Sequence, residues 1–134
     1  MPAFLAALLG ALGLSVLTTL YHVWLFPDLI GAGQYERFWF LHTIPTGALL
    51  GLGSAIALRT KPGLAKLFKC LAAAVLGLVP FGIWVYIHLY ADPIHAIPIF
   101  LQALTLFAPS LLWVLFLLTT GLFQLRPARF RSSD

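Results

Sequence analysis

Four long apolar runs, at about residues 3–26, 38–58, 67–91 and 98–122, are separated by short connections that hold most of the polar and charged side chains. Within a run the apolar residues do not keep to one helical face, and stretches such as LLWVLFLLTTGL are apolar on all sides. Each run matches the roughly 20 residues a helix needs to cross the hydrocarbon of a bilayer. Only a helix or a closed barrel satisfies every backbone N–H and C=O there without water. Barrel strands would alternate inward and outward over about 10 residues, which these runs do not do. The pattern therefore predicts an all-α integral membrane protein: a four-transmembrane-helix antiparallel, up-down bundle forming a single domain over residues 1–134, with residues 123–134 as a basic tail.

Composition agrees, because 61% of the residues are hydrophobic, 9% are charged and the mean hydropathy is +0.99. A water-soluble domain of this length cannot hide that much apolar surface in one core. The first run is too long for a signal-peptide core and has no Lys or Arg before it, so it reads as a permanent span. The single Cys70 excludes an internal disulfide and any multi-cysteine metal site.

Charge sets the expected orientation. Arg59, Lys61, Lys66, Lys69, Arg126, Arg129 and Arg131, seven of the eight basic residues, lie in the connection between runs two and three or in the tail. Positive residues favour the cytoplasmic side, so both termini are expected in the cytoplasm. The net charge of +4 serves topology and comes with no nucleic-acid-binding module.

Prolines and small residues bear on packing. Pro62-Gly63 is a tight-turn pair, and Asp92-Pro93 reads as a helix cap followed by a first helical residue. From there the chain either makes a short turn over PIHAI or runs as one helix that bends at Pro98. Pro45, Pro80 and Pro109 fall inside runs two, three and four, where each removes one helical hydrogen bond that a neighbouring helix or a hydroxyl such as Thr43 or Thr46 must replace. Gly47 and Gly51 form a close-contact ridge, supported by Ala6, Gly10, Ala73 and Gly77.

The candidate chemistry lies in four histidines. His22 comes four residues before the end of run one, His42 four after the start of run two, and His88 three before the end of run three. At 1.5 Å per residue these rings sit within about 4–6 Å of one membrane boundary, with His95 at or just beyond it. Ser15, Thr18 or Thr19 and His22 form a polar stripe, as do His42 with Thr46, and His95 with Gln102 and Thr105; Trp84 lies one turn from His88. Such stripes are expected to face the bundle interior.

Imidazole binds haem iron or the magnesium of a chlorin, so a haem held by two rings or a (bacterio)chlorophyll held by one is the expected cofactor, with His22, His42, His88 and His95 as its binding residues. Three or four of the same rings would suit zinc or copper instead. A plainer account makes the histidines part of an interfacial aromatic belt with Tyr21, Tyr35, Tyr86, Tyr90, Trp24, Trp39 and Trp84. No catalytic nucleophile is visible, and no acidic residue sits at mid-membrane.

The expected function is an accessory integral subunit of a larger respiratory or photosynthetic complex, in a bacterial inner membrane or an equivalent energy-transducing membrane. Its partners are then the lipid bilayer and other integral membrane subunits, with no nucleic acid. A small metal-dependent membrane enzyme with a histidine-lined site is the alternative, and a small transporter or channel comes third.

Overall fold

The computed structural model describes residues 2–31 and 33–126, and all its regular elements are helical, with no strand among the described residues. In chain order these are α1 (Ala3–Leu25), the single turns α2 (Pro27–Ile30) and α3 (Tyr35–Phe38), α4 (Ile44–Arg59), α5 (Leu64–Ala91), α6 (Ala96–Leu106) and α7 (Ala108–Phe123). A π-helical turn, Trp39–Thr43, joins α3 to α4, and a 3-10 turn, Pro93–His95, precedes α6. Three helical stretches are long and apolar enough to cross a membrane: Ala3–Leu25, Tyr35–Arg59 and Leu64–Ala91. They coincide with the first three apolar runs, extended backwards to Tyr35 and Leu64. Arg129 and Arg131 of the basic tail lie outside the described residues.

Helix α4 occupies the middle of the bundle, packing on α1, α5 and α7. Small residues permit its approach to α1. A Cβ on Gly10 would overlap the Gly47 carbonyl, and one on Gly47 would stand 2.6 Å from the Gly10 carbonyl oxygen. The expected ridge is therefore real, and its partner is α1 of the same chain. On the opposite side of α4, Leu50 fills the notch at Gly77 and joins Ala73, Ala74, Val114 and Leu117 in a core shared with α5 and α7.

The fourth apolar run departs from expectation. In place of one helix over residues 98–122, α6 and α7 meet at 77° across Phe107. Helix α7 has 16 residues, a length of about 24 Å, and falls short of a roughly 30 Å hydrocarbon layer by itself. The cause is local. Pro109 has no N–H to offer the Thr105 carbonyl, and the Phe107 ring turns inward against Phe38, His42, Phe81 and Trp84. Burial of that ring, 4% exposed, offsets the interrupted helix.

The other prolines act differently. Pro98 lies in the first turn of α6, where its missing N–H has no helical partner to lose, so the chain turns over Pro93–His95 and does not bend at Pro98. Helix α5 runs unbroken through Pro80, and Pro45 follows the π-helical turn at the start of α4. At the far end of the bundle Gly63 takes φ 139°, and its N–H donates to Gln124 Oε1 at 3.1 Å, tying the α4–α5 turn to the end of α7.

Candidate functional site at the histidine end

Five carbonyls and four imidazoles decide what this end of the bundle is. The break before α7 leaves the Thr105 carbonyl without its helical donor. The Tyr21 hydroxyl donates to it at 2.7 Å. One residue on, the Leu106 carbonyl accepts from His22 Nε2–H at 2.9 Å. The Phe107 carbonyl receives two donors, Leu111 N–H at 2.9 Å and the Ser110 hydroxyl at 2.8 Å. Adjacent residues of α1 thus supply the hydrogen bonds that α6 and α7 fail to make between themselves, as a broken helix in an apolar setting requires.

His22 is fully buried and uses both ring nitrogens. A carbonyl only accepts, so the Leu106 contact places the proton on Nε2. Nδ1 is then the acceptor for the Tyr35 hydroxyl, 2.9 Å away. The ring packs against Phe26 and Phe38 as well. A hydrogen-bond chain therefore runs from Tyr35 through His22 to Leu106, joining α3, α1 and α6.

His42 lies in the π-helical turn, half-buried between Phe38 and Phe107. The Pro80 carbonyl of α5 faces its ring. Its Nδ1 is buried without a partner among the described residues, as is Thr46 Oγ1 one turn further along. Both residues line a cavity of about 10 Å³, together with Leu14, Thr18, Phe38, Thr43, Leu106, Phe107 and Ser110.

The remaining two rings are exposed. His88 stacks on Trp84 with ring centres 3.8 Å apart, and its Nδ1–H donates to the Trp84 carbonyl at 2.8 Å. That leaves the Nε2 lone pair of His88 unused. His95 pairs through Nδ1 with Asp92 at 2.7 Å, both side chains at least half exposed.

The sequence expectation that four imidazoles share one end of the bundle is met, but their nitrogens do not converge. Among the described residues no three of His, Cys, Asp and Glu gather as a metal site would need. Three of the rings find nearer partners: the Leu106 carbonyl and the Tyr35 hydroxyl for His22, the Trp84 carbonyl for His88, and the Asp92 carboxylate for His95. A haem between His22 and His88, or between His42 and either, does not fit these residues. His22 has no free nitrogen, and His42 opens onto a space the size of one water molecule. Gln102 and Thr105, expected to face inward, are exposed because α6 swings away from the bundle axis.

Tyr35 and Phe107 were not among the expected site residues. One clue to this end was present in the sequence: Pro109 implies an unpaired carbonyl at residue 105, which some neighbouring donor must satisfy. Comparisons with protein-family models, with curated proteins and with solved structures each return no match.

Proposed function

We infer that the chain is a small accessory subunit, embedded in a membrane and packed within a larger integral assembly, with its termini on the cytoplasmic side. One observation carries this reading: Tyr21, His22 and Ser110 spend their polar groups on the carbonyls at the α6–α7 break, while the broad surfaces left over are apolar helix faces. Large apolar side chains are exposed along the length of α1, α5 and α7, including Leu12, Val16, Leu17, Val75, Leu112 and Leu115. An open apolar groove of about 240 Å³ lies where α1, α4 and α7 meet, lined by Leu9, Ala55 and Trp113. Lipid and the helices of other subunits are the partners that such faces suit. The packed interior favours this role over that of an enzyme or carrier, since the cavity beside His42 has room for water alone.

The respiratory or photosynthetic setting rests on the histidines, and within it the cofactor role narrows to His88. Its Nε2 lone pair is the one imidazole nitrogen both unspent and on an exposed residue that also stacks against an aromatic wall. A chlorin or haem needing one axial ligand there would be sandwiched between this subunit and a neighbour.

Solubilisation in a mild detergent followed by native electrophoresis tests the assembly. The chain should migrate with a much larger complex, and migration as a monomer under every mild condition would end this reading. Absorbance of that complex tests the cofactor: a Soret or chlorin band should weaken or shift on His88→Ala and be indifferent to His95→Ala.

A further inference from the structure

We propose that the cavity beside the π-helical turn is a specific site for one water molecule, hydrogen-bonded between His42 Nδ1, Thr46 Oγ1 and Ser110 Oγ. The argument starts from volume. About 10 Å³ of space between α1, the π-helical turn, α4 and the α6–α7 break is the least that admits a single water and too little for more, and the walls are polar at several points. A cavity of this kind lined only by leucine and phenylalanine would stay dry.

Hydrogen-bond direction supplies the second part. His42 Nδ1 is buried and unpartnered among the described residues, and with the ring proton on Nε2, the nitrogen left for the Pro80 carbonyl that faces the ring, Nδ1 is an acceptor. Ser110 gives its own proton to the Phe107 carbonyl, so its oxygen is also an acceptor. Thr46, 1% exposed, has a hydroxyl proton with no taker among the described residues. Two acceptors and one donor line the same small space. Water supplies the complement, donating to His42 Nδ1 and to Ser110 Oγ while accepting from Thr46.

Cost supplies the third. A buried polar atom without a partner costs about 1–3 kcal/mol, and here two such atoms share one cavity. The π-helical turn brings them there. His42 and Thr43 lie in that turn and Thr46 in the first turn of α4, and all three line the cavity. The water would thus be the hydrogen-bonding counterpart of the break in the fourth apolar run, since Leu106, Phe107 and Ser110 form the opposite wall. This proposal does not depend on which assembly the chain enters.

The test is water-edited solid-state NMR of the full chain in lipid bilayers, with histidine labelled by ¹⁵N. His42 Nδ1 should appear in its unprotonated form and receive magnetisation from a bound water. The Thr46→Val variant keeps the shape of the side chain and removes the donor, so the transfer to His42 should be lost. Ser110→Ala asks the same of the opposite wall and serves if Thr46→Val fails to fold. A protonated Nδ1 bonded directly to a protein oxygen, an unprotonated Nδ1 with no transfer from water, or full transfer retained in a folded Thr46→Val or Ser110→Ala variant would each overturn the proposal.

Discussion

At the scale of single residues, His22 is the side chain on which the histidine end depends, and its role is that of a fully satisfied buried hydrogen-bonding group. Removing it strands the Leu106 carbonyl and the Tyr35 hydroxyl together. With about 1–3 kcal/mol for each buried orphan, His22→Ala should destabilise the folded chain by roughly 2–6 kcal/mol. Tyr35→Phe should cost only about 0.6–1.7 kcal/mol, the range of interhelical hydrogen bonds in membranes. The double variant should lose less than the sum, because the two side chains share one bond. Denaturant titration in detergent, followed by circular dichroism, measures all three. Strict additivity would remove the Tyr35–His22 bond from the account. From the sequence, His22 was legible as an inward-facing polar residue at a particular depth. Its partner was not, since a carbonyl becomes available only where a distant helix happens to break.

Among the elements, the break between α6 and α7 is the most informative. Pro109→Ala returns an N–H to residue 109 and lets the Thr105 carbonyl bond within the helix, lowering the cost of a straight α6–α7. Spin labels at the exposed positions Ile97 and Phe116 stand about 22 Å apart along two axes bent by 77°, and about 28 Å apart on a continuous helix. Pulsed electron resonance on Pro109→Ala should show the distance distribution spreading towards the longer value. An unchanged distance would assign the bend to the Phe107 ring alone. The contact between α1 and α4 makes a second prediction at this scale. Gly51→Val places side-chain atoms where the Ala6 carbonyl and Gly10 backbone already stand, so α1 cannot seat against α4. The variant should unfold at markedly lower denaturant than Gly82→Val, whose site has open space around it. Both glycines are equal on a helix-propensity scale, which isolates the packing contribution.

For the whole molecule, topology is the property to measure, and burial dictates how. Cys70 is fully buried, and Gly121 of α7 would place a Cβ 3.0 Å from its own. The native thiol is therefore a silent background. Introduced cysteines at the exposed positions Lys61 and Asp92 report the two ends of α5. In intact cells a thiol reagent that cannot cross membranes should label Asp92→Cys and spare Lys61→Cys, with the pattern reversed in inverted vesicles. Labelling of Lys61→Cys from outside would invert the orientation and place the histidines at the cytoplasmic face.

The linear order of residues was enough to determine helix as the secondary structure, the approximate extent of the first three long helices, the small-residue seam and the gathering of the four histidines at one end of the bundle. These depend on hydrophobic run length, on side-chain size and on the fixed rise of a helix, all of which are local. Tertiary structure alone decided that the fourth run folds as two helices, that α6 leaves the bundle axis, and that His22, His88 and His95 each turn to a different partner while His42 faces a small cavity. A proline marks where a hydrogen bond is lost, but whether the chain bends there depends on what a neighbour offers in exchange. Tyr21 and His22 answer for Thr105 and Leu106 across 84 residues of sequence, a separation over which no local pattern carries information.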